Sequence, residues 1–167
     1  TANETVFLTF ADGATGNQGL ETDTSLTYNP STNILNTTAS TAQYADLAEK
    51  YSSDEEYLPG TVVMFGGDKE VTIAEERTKA VAGVVSSNPA YLMNSMLEGM
   101  SVDVALQGRV QCKVQGHIRK GDMIVAGATP GVGIADDDPI LGTVIGKALE
   151  NYDSTEIGMI EVVVGRL

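Results

Sequence analysis

The sequence predicts a mostly β protein: a short-strand lead-in, one short helix, then a β-barrel or β-sandwich domain. Three observations lead there. Eighteen glycines are spread along the 167 residues, a pattern of frequent tight turns. From Thr61 onward, Val- and Ile-rich runs alternate with those turns at the regular spacing of short strands. Between residues 44 and 52 the apolar period lengthens to that of a helix.

Residues 1–39 form the first region, a β shaft-like lead-in. "TVFLTF" reads as a strand, "ADGATGNQG" as a glycine-rich loop, and "LTY" as a second strand. The Asn-Pro turn "NPSTN" then leads to "ILNTTAS", which predicts a hairpin. So few large apolar residues cannot offset the ordering entropy of an isolated unit of this size. The lead-in must therefore lie on the next domain or on copies of itself.

Residues 40–58 are expected to form a linking helix and turn. Ser40 and Gln43 have the spacing of a capping box, and the helix runs from about Thr41 to Ser52. Tyr44, Leu47, Ala48 and Tyr51 fall at i, i+3, i+4 and i+7 and are expected to face inward. Asp46, Glu49 and Lys50 then point outward, and Pro59–Gly60 forces the turn that follows. About three turns of helix are marginal alone, so this one needs a surface to pack on.

The C-terminal β domain spans 59–167. "TVVMF" and "EVTI" flank Gly66, Gly67 and Asp68 as a hairpin. "KAVAGVVSS" reads as a buried strand carrying a bulge at its glycine, and "NPAYLMNSMLEGM" as either a helical turn or a hydrophobic flap. "SVDVALQGRVQCKVQG" alternates on both sides of Gly108. With "IRKGDMIVAG", "VGIA", "LGTVIGKALE" and "GMIEVVVGRL" the count comes to roughly eight strands of about 4 to 8 residues, the pattern of a barrel or sandwich.

Composition narrows the function. A net charge of −13 and a pI near 4.2 argue against nucleic acid, which needs clustered Lys and Arg, and against an anionic membrane surface. No run approaches the ~18 apolar residues of a membrane span, and the first residues lack the basic region of a signal peptide. Cys112 sits in the alternating run "VQCKV", where a small buried hydrophobe fits better than a nucleophile. His117 has no second His or Cys nearby, so no zinc site or Cys–His couple is expected. "DDDP", residues 136–139, lacks the spacing of a calcium loop, and the glycine patterns lack the Lys-Ser/Thr of a phosphate loop. The acids at 54–56, 75–76 and 136–138 read as solvated loops. No cofactor, no metal and no catalytic residue is expected.

"YADLAEKYSSDEEYLPGTVVMFGGDKEV", "AGVVSSNPAYLMNS" and "KGDMIVAGATPG" together resemble a C-terminal module of bacteriophage tail fibres and appendages. That module is similar to the peptidase G2 type of intramolecular chaperone domain. The resemblance covers about residues 41–131, over half the chain. It implies a homotrimeric, β-rich structural virion protein that assists trimer assembly, with other virion proteins and a host-surface receptor as further partners. The face of Tyr44, Leu47 and Tyr51 would then pack at the joint between shaft and terminal domain, against the β domain or a sister chain. Some members of the family cut themselves just upstream of this helix, at an Asp–Ser-like bond. Here the segment before Tyr44 reads "NTTASTAQ", and the only Asp–Ser step is Asp153–Ser154. Autoproteolysis would fall to Asp46 or Glu49, and an uncut domain is the expected outcome. A third reading, a capsid decoration protein, rests on the β-rich C-terminal runs.

Overall fold

The computed structural model describes residues 3–11, 15–17, 19–37 and 45–165. The chain divides into two compact units, Thr1–Ala42 and Gln43–Leu167. The described residues are all β, with no helix among them.

The first unit is an antiparallel sheet of β1 (Val6–Ala11), β2 (Leu20–Asn29) and β3 (Ile34–Asn36) in that order. The Asn-Pro turn joins β2 to β3 as the sequence predicts. Its Asn29 side chain accepts from the backbone N–H of Ser31 at 2.9 Å, and Asn33 takes a left-handed φ of 57°, which asparagine tolerates better than most residues. Val6 lies opposite Tyr28, and Tyr28 opposite Leu35. The β1–β2 register shifts between Phe7 and Thr9, and Leu8 and Phe10 on this strand are also exposed. None of the described residues of this sheet is buried.

The second unit contains β4 (Asp46–Ser52), β5 (Val62–Phe65), β6 (Val71–Ile73), β7 (Val81–Val85), β8 (Tyr91–Met93), β9 (Ser101–Ile118), β10 (Met123–Ala126), β11 (Gly133–Ala135), β12 (Val144–Ala148) and β13 (Tyr152–Val164). Five of these close a barrel. β9 pairs with β13, β13 with β12, β12 with β10 and β10 with β11, and β11 returns to β9 through a parallel contact of Gly133 with Val114. Closure removes the exposed strand edges of an open sheet. Alternate residues of β9 (Val110, Cys112 and Val114) point into the core, with Ile124, Ile145, Ile160 and Val162 from the other strands.

β9 is the long strand at the centre of one ten-stranded sheet. Its C-terminal half belongs to the barrel, and its N-terminal half pairs with β4 and β7. Gly108 stands at the change, with φ 107°, and a Cβ there would lie 2.1 Å from the carbonyl oxygen of Ala45. Only glycine permits both the φ and the approach. Beyond it, Val63, Val71, Val85, Val102 and Val104 form a second buried cluster.

The expected hairpin is β5–β6, and the glycine-bearing strand is β7, where the β5–β7 register shifts between Val63 and Met64. Two expectations are corrected. β9 runs 18 residues and β13 runs 13, well beyond short strands. More consequentially, the expected helix is absent over Asp46–Ser52, which is strand β4, antiparallel to β9 and parallel to β8. The capping pair Ser40 and Gln43, and Tyr44 itself, lie outside the described residues. A short isolated helix is marginal, whereas this segment hydrogen-bonds to strands on both sides and buries Asp46 and Ala48 at period two.

Candidate functional site

The predicted site residues Asp46, Leu47, Glu49 and Tyr51 all lie on β4, and the strand separates them. Asp46 and Glu49 are three residues apart and alternate onto opposite faces, so the two carboxylates do not form a pair. Asp46 is an inward residue, not the outward one expected of a helix, and it is only 5 % exposed. Its Oδ2 is buried and has no hydrogen-bond partner. Its backbone carbonyl accepts from the N–H of Ala90 at 2.9 Å. A polar groove of about 430 Å³ runs alongside, lined by Asp46, Ser86, Asn88, Arg109 and Glu161. The guanidinium of Arg109 lies 3.5 Å from the Glu161 carboxylate.

Glu49 is half-buried and accepts the Tyr51 hydroxyl at 2.8 Å. The Tyr51 ring meets Phe65 edge-on, with centroids 5.6 Å apart at 75°. Burial first, then the hydrogen bond and charge of Glu49 and the charge of Glu70, push the Tyr51 phenol up to about 12. Leu47 is half-buried and lies opposite Tyr91 and Gln107.

Glu55 and Glu56 are exposed, as expected of a solvated run, but Asp54 and, beyond the run, Glu70 work as ties. Asp54 accepts from the hydroxyls of Tyr57 at 2.6 Å and Thr72 at 2.7 Å, which hold its carboxyl below the usual value. Glu70 accepts from both the N–H and the hydroxyl of Ser52, at 2.8 and 2.9 Å, and its carboxyl is lowered for that reason. These contacts fasten the end of β4 to the β5–β6 hairpin. Asp136, the first acid of "DDDP", has a side chain 9 % exposed beside the Arg77 guanidinium at 3.0 Å. Sequence reasoning missed all three roles. The short Asp54–Tyr57 spacing was the one local signal.

The remaining candidates offer little chemistry. Cys112 is fully enclosed in the barrel, as its alternating run predicts, and burial pushes its thiol up to about 12, where no useful thiolate fraction exists near neutrality. His117 Nδ1 lies 3.2 Å from Asp153 Oδ1, and its Nε2 accepts from Arg119 Nε at 3.2 Å. Cys112 alternates to the other face of the same strand. Among the described residues, no group of three His, Cys, Asp or Glu side chains could hold a metal ion. No protein-family model matches the chain, and no curated protein matches it.

Proposed function

We propose that the chain is a structural, self-associating virion module: the terminal part of a trimeric phage tail or appendage fibre, assisting trimer assembly and meeting other virion proteins and a host surface. The observation that carries this reading is the exposed apolar surface of the first unit. Val6, Leu8, Phe10 and Leu35 are 36, 36, 42 and 54 % exposed, on a three-stranded sheet none of whose described residues is buried. Such a sheet gains independent stability only by packing its face on something else. Three copies wrapped about a common axis would supply that cover. Light scattering at micromolar concentration tests it: a trimer mass is expected, and Leu8→Asp with Phe10→Asp should release monomers. A monomer mass for the unaltered chain would sink the reading.

A second reading, an autoproteolytic intramolecular chaperone, gains one specific support. A buried carboxylate oxygen without a partner is costly to keep, and Asp46 keeps one just after residues 38–44, where a cut would fall. A longer version tagged before Thr1 tests this. A break between about Ile34 and Tyr44, lost in Asp46→Asn but kept in Glu49→Gln, would favour it, and unchanged mass over days would exclude it.

A further inference from the structure

The outer wall of the barrel carries a cleft that none of the preceding roles uses. β9 alternates, so while Cys112 and Val114 fill the barrel, Lys113 points outward, beneath the loop that leads into β5. The backbone binds that loop to the strand, with Lys113 N–H donating to the carbonyl of Gly60 at 2.8 Å. The side chain lies half-buried along the same surface. Its Nζ donates to the Thr61 hydroxyl at 2.7 Å, and Thr61 is itself only 5 % exposed. Among the described residues no carboxylate lies within 4.0 Å of that ammonium. Several other described lysines also lack a carboxylate partner, but Lys113 differs from them in that its ammonium is held on a buried hydroxyl.

The space in front of Lys113 is about 370 Å³, within the lower range of small-molecule sites. Its walls are apolar: Leu58, Ile73, Pro130 and Ile157. Leu58 is 67 % and Ile157 53 % exposed, so these walls stay wet while the cleft is empty. Glu55 and Glu56 stand at the rim.

We infer that this cleft binds a small molecule carrying one carboxylate on an apolar body. The carboxylate would accept from the two remaining N–H bonds of Lys113, with the Thr61 hydroxyl beside it. A charge-assisted hydrogen bond in a partly desolvated site is stronger than its neutral counterpart. The body would cover Ile73, Pro130 and Ile157 and displace water from them. The rim acids set the selectivity, because a second carboxylate at the far end of the ligand would meet Glu55 and Glu56. A monoanion with a short alkyl or aryl body is thus accepted and a dianion rejected.

Titration calorimetry of the full chain with octanoate, octanamide and octanedioate tests the inference. Octanoate is expected to saturate with Kd of about 1 mM or tighter. The amide and the diacid should each bind at least about tenfold more weakly, the loss expected of one charge-assisted bond. Lys113→Met should weaken octanoate by a similar factor, and Lys113→Arg should retain it. Should Lys113→Met not fold, Ile157→Glu on the exposed wall provides the same readout, since it removes apolar surface and adds a repelling charge. Three results would each overturn the assignment: no saturation by octanoate below about 10 mM, octanamide binding as well as octanoate, or unchanged binding in a folded Lys113→Met or Ile157→Glu chain.

Discussion

Tyr51 tests the strand assignment of residues 46–52 most directly. Its ring is half-buried, covers the second valine cluster and meets Phe65 edge-on at 5.6 Å. Truncating a fully buried aromatic costs about 3 to 5 kcal/mol. With roughly half the ring covered, the burial share falls to about 1.5 to 2.5 kcal/mol. The edge-to-face contact adds about 0.5 to 1.5 kcal/mol, so Tyr51→Ala should cost about 2 to 4 kcal/mol. Tyr51→Phe keeps the ring and loses only the hydroxyl bond to Glu49, for about 0.5 to 1 kcal/mol. Urea unfolding followed by fluorescence and circular dichroism gives both values, with an unchanged m-value as the sign that the same transition is compared. A double-mutant cycle with Phe65→Ala should return a coupling of about 1 kcal/mol. If Tyr51→Ala stays within about 0.5 kcal/mol of the parent, or the cycle returns no coupling, the packing of β4 on the β5–β6 hairpin is wrong.

Gly108→Ala should cost more than about 3 kcal/mol, since it adds a positive-φ penalty to a collision with the Ala45 carbonyl; a melting temperature within a few degrees of the parent would contradict the hinge role of Gly108. Arg77 holds φ 51° while pairing with the nearly buried Asp136 carboxylate, so Arg77→Ala should destabilise by about 1 to 3 kcal/mol. Arg77→Gly, which relieves the backbone, should recover about 1 kcal/mol of that loss, and equal costs would show that φ is not strained. Alkaline titration has a defined sign. The folded phenols of Tyr51 and Tyr57 are raised above the ordinary value of 10.0, so their contribution is complete below pH 10.0 and falls as the pH rises through the folded values. For Asp54 and Glu70 the folded carboxyls are lowered from 3.8 and 4.5. Their contribution is therefore complete above those values and is lost in acid. Denaturant midpoints measured from pH 3 to 12 should show both declines, with the alkaline one reduced in Tyr51→Phe.

The β class of this chain was legible in its sequence because a strand at a half-buried surface writes its period into its residues. Val110, Cys112 and Val114 alternate with Arg109, Gln111 and Lys113, and the inward set fills the barrel. Local turn chemistry was legible for the same reason: Asn-Pro before β3, and Gly66–Gly67 between β5 and β6, settle their conformations within a few bonds. The same local reading placed Cys112 out of reach of chemistry. It also showed that residues 1–39 are too poor in apolar groups to enclose a core, and none of the described residues of that sheet is buried.

What the sequence could not decide depends on partners distant along the chain. The Tyr44–Tyr51 pattern satisfies a helical period, yet Leu47 and Tyr51 also suit a strand. The choice fell to β9 and β8, whose paired residues lie 44 to 62 positions away and offer hydrogen bonds that a three-turn helix would have to forgo. That choice turned Asp46 from a wet residue into a buried one with an oxygen lacking a partner, and it parted Asp46 from Glu49. The roles of Asp54, Glu70 and Asp136 arise in the same way, from hydroxyls and a guanidinium that the fold alone brings near. Closure of the barrel rests on one parallel contact, Gly133 with Val114, and no local signal marks it. Periodicity and turn residues act over a few neighbours and are written in the chain. Register, closure and the pairing of charges are differences between competing long-range contacts, which exist only once the chain has folded.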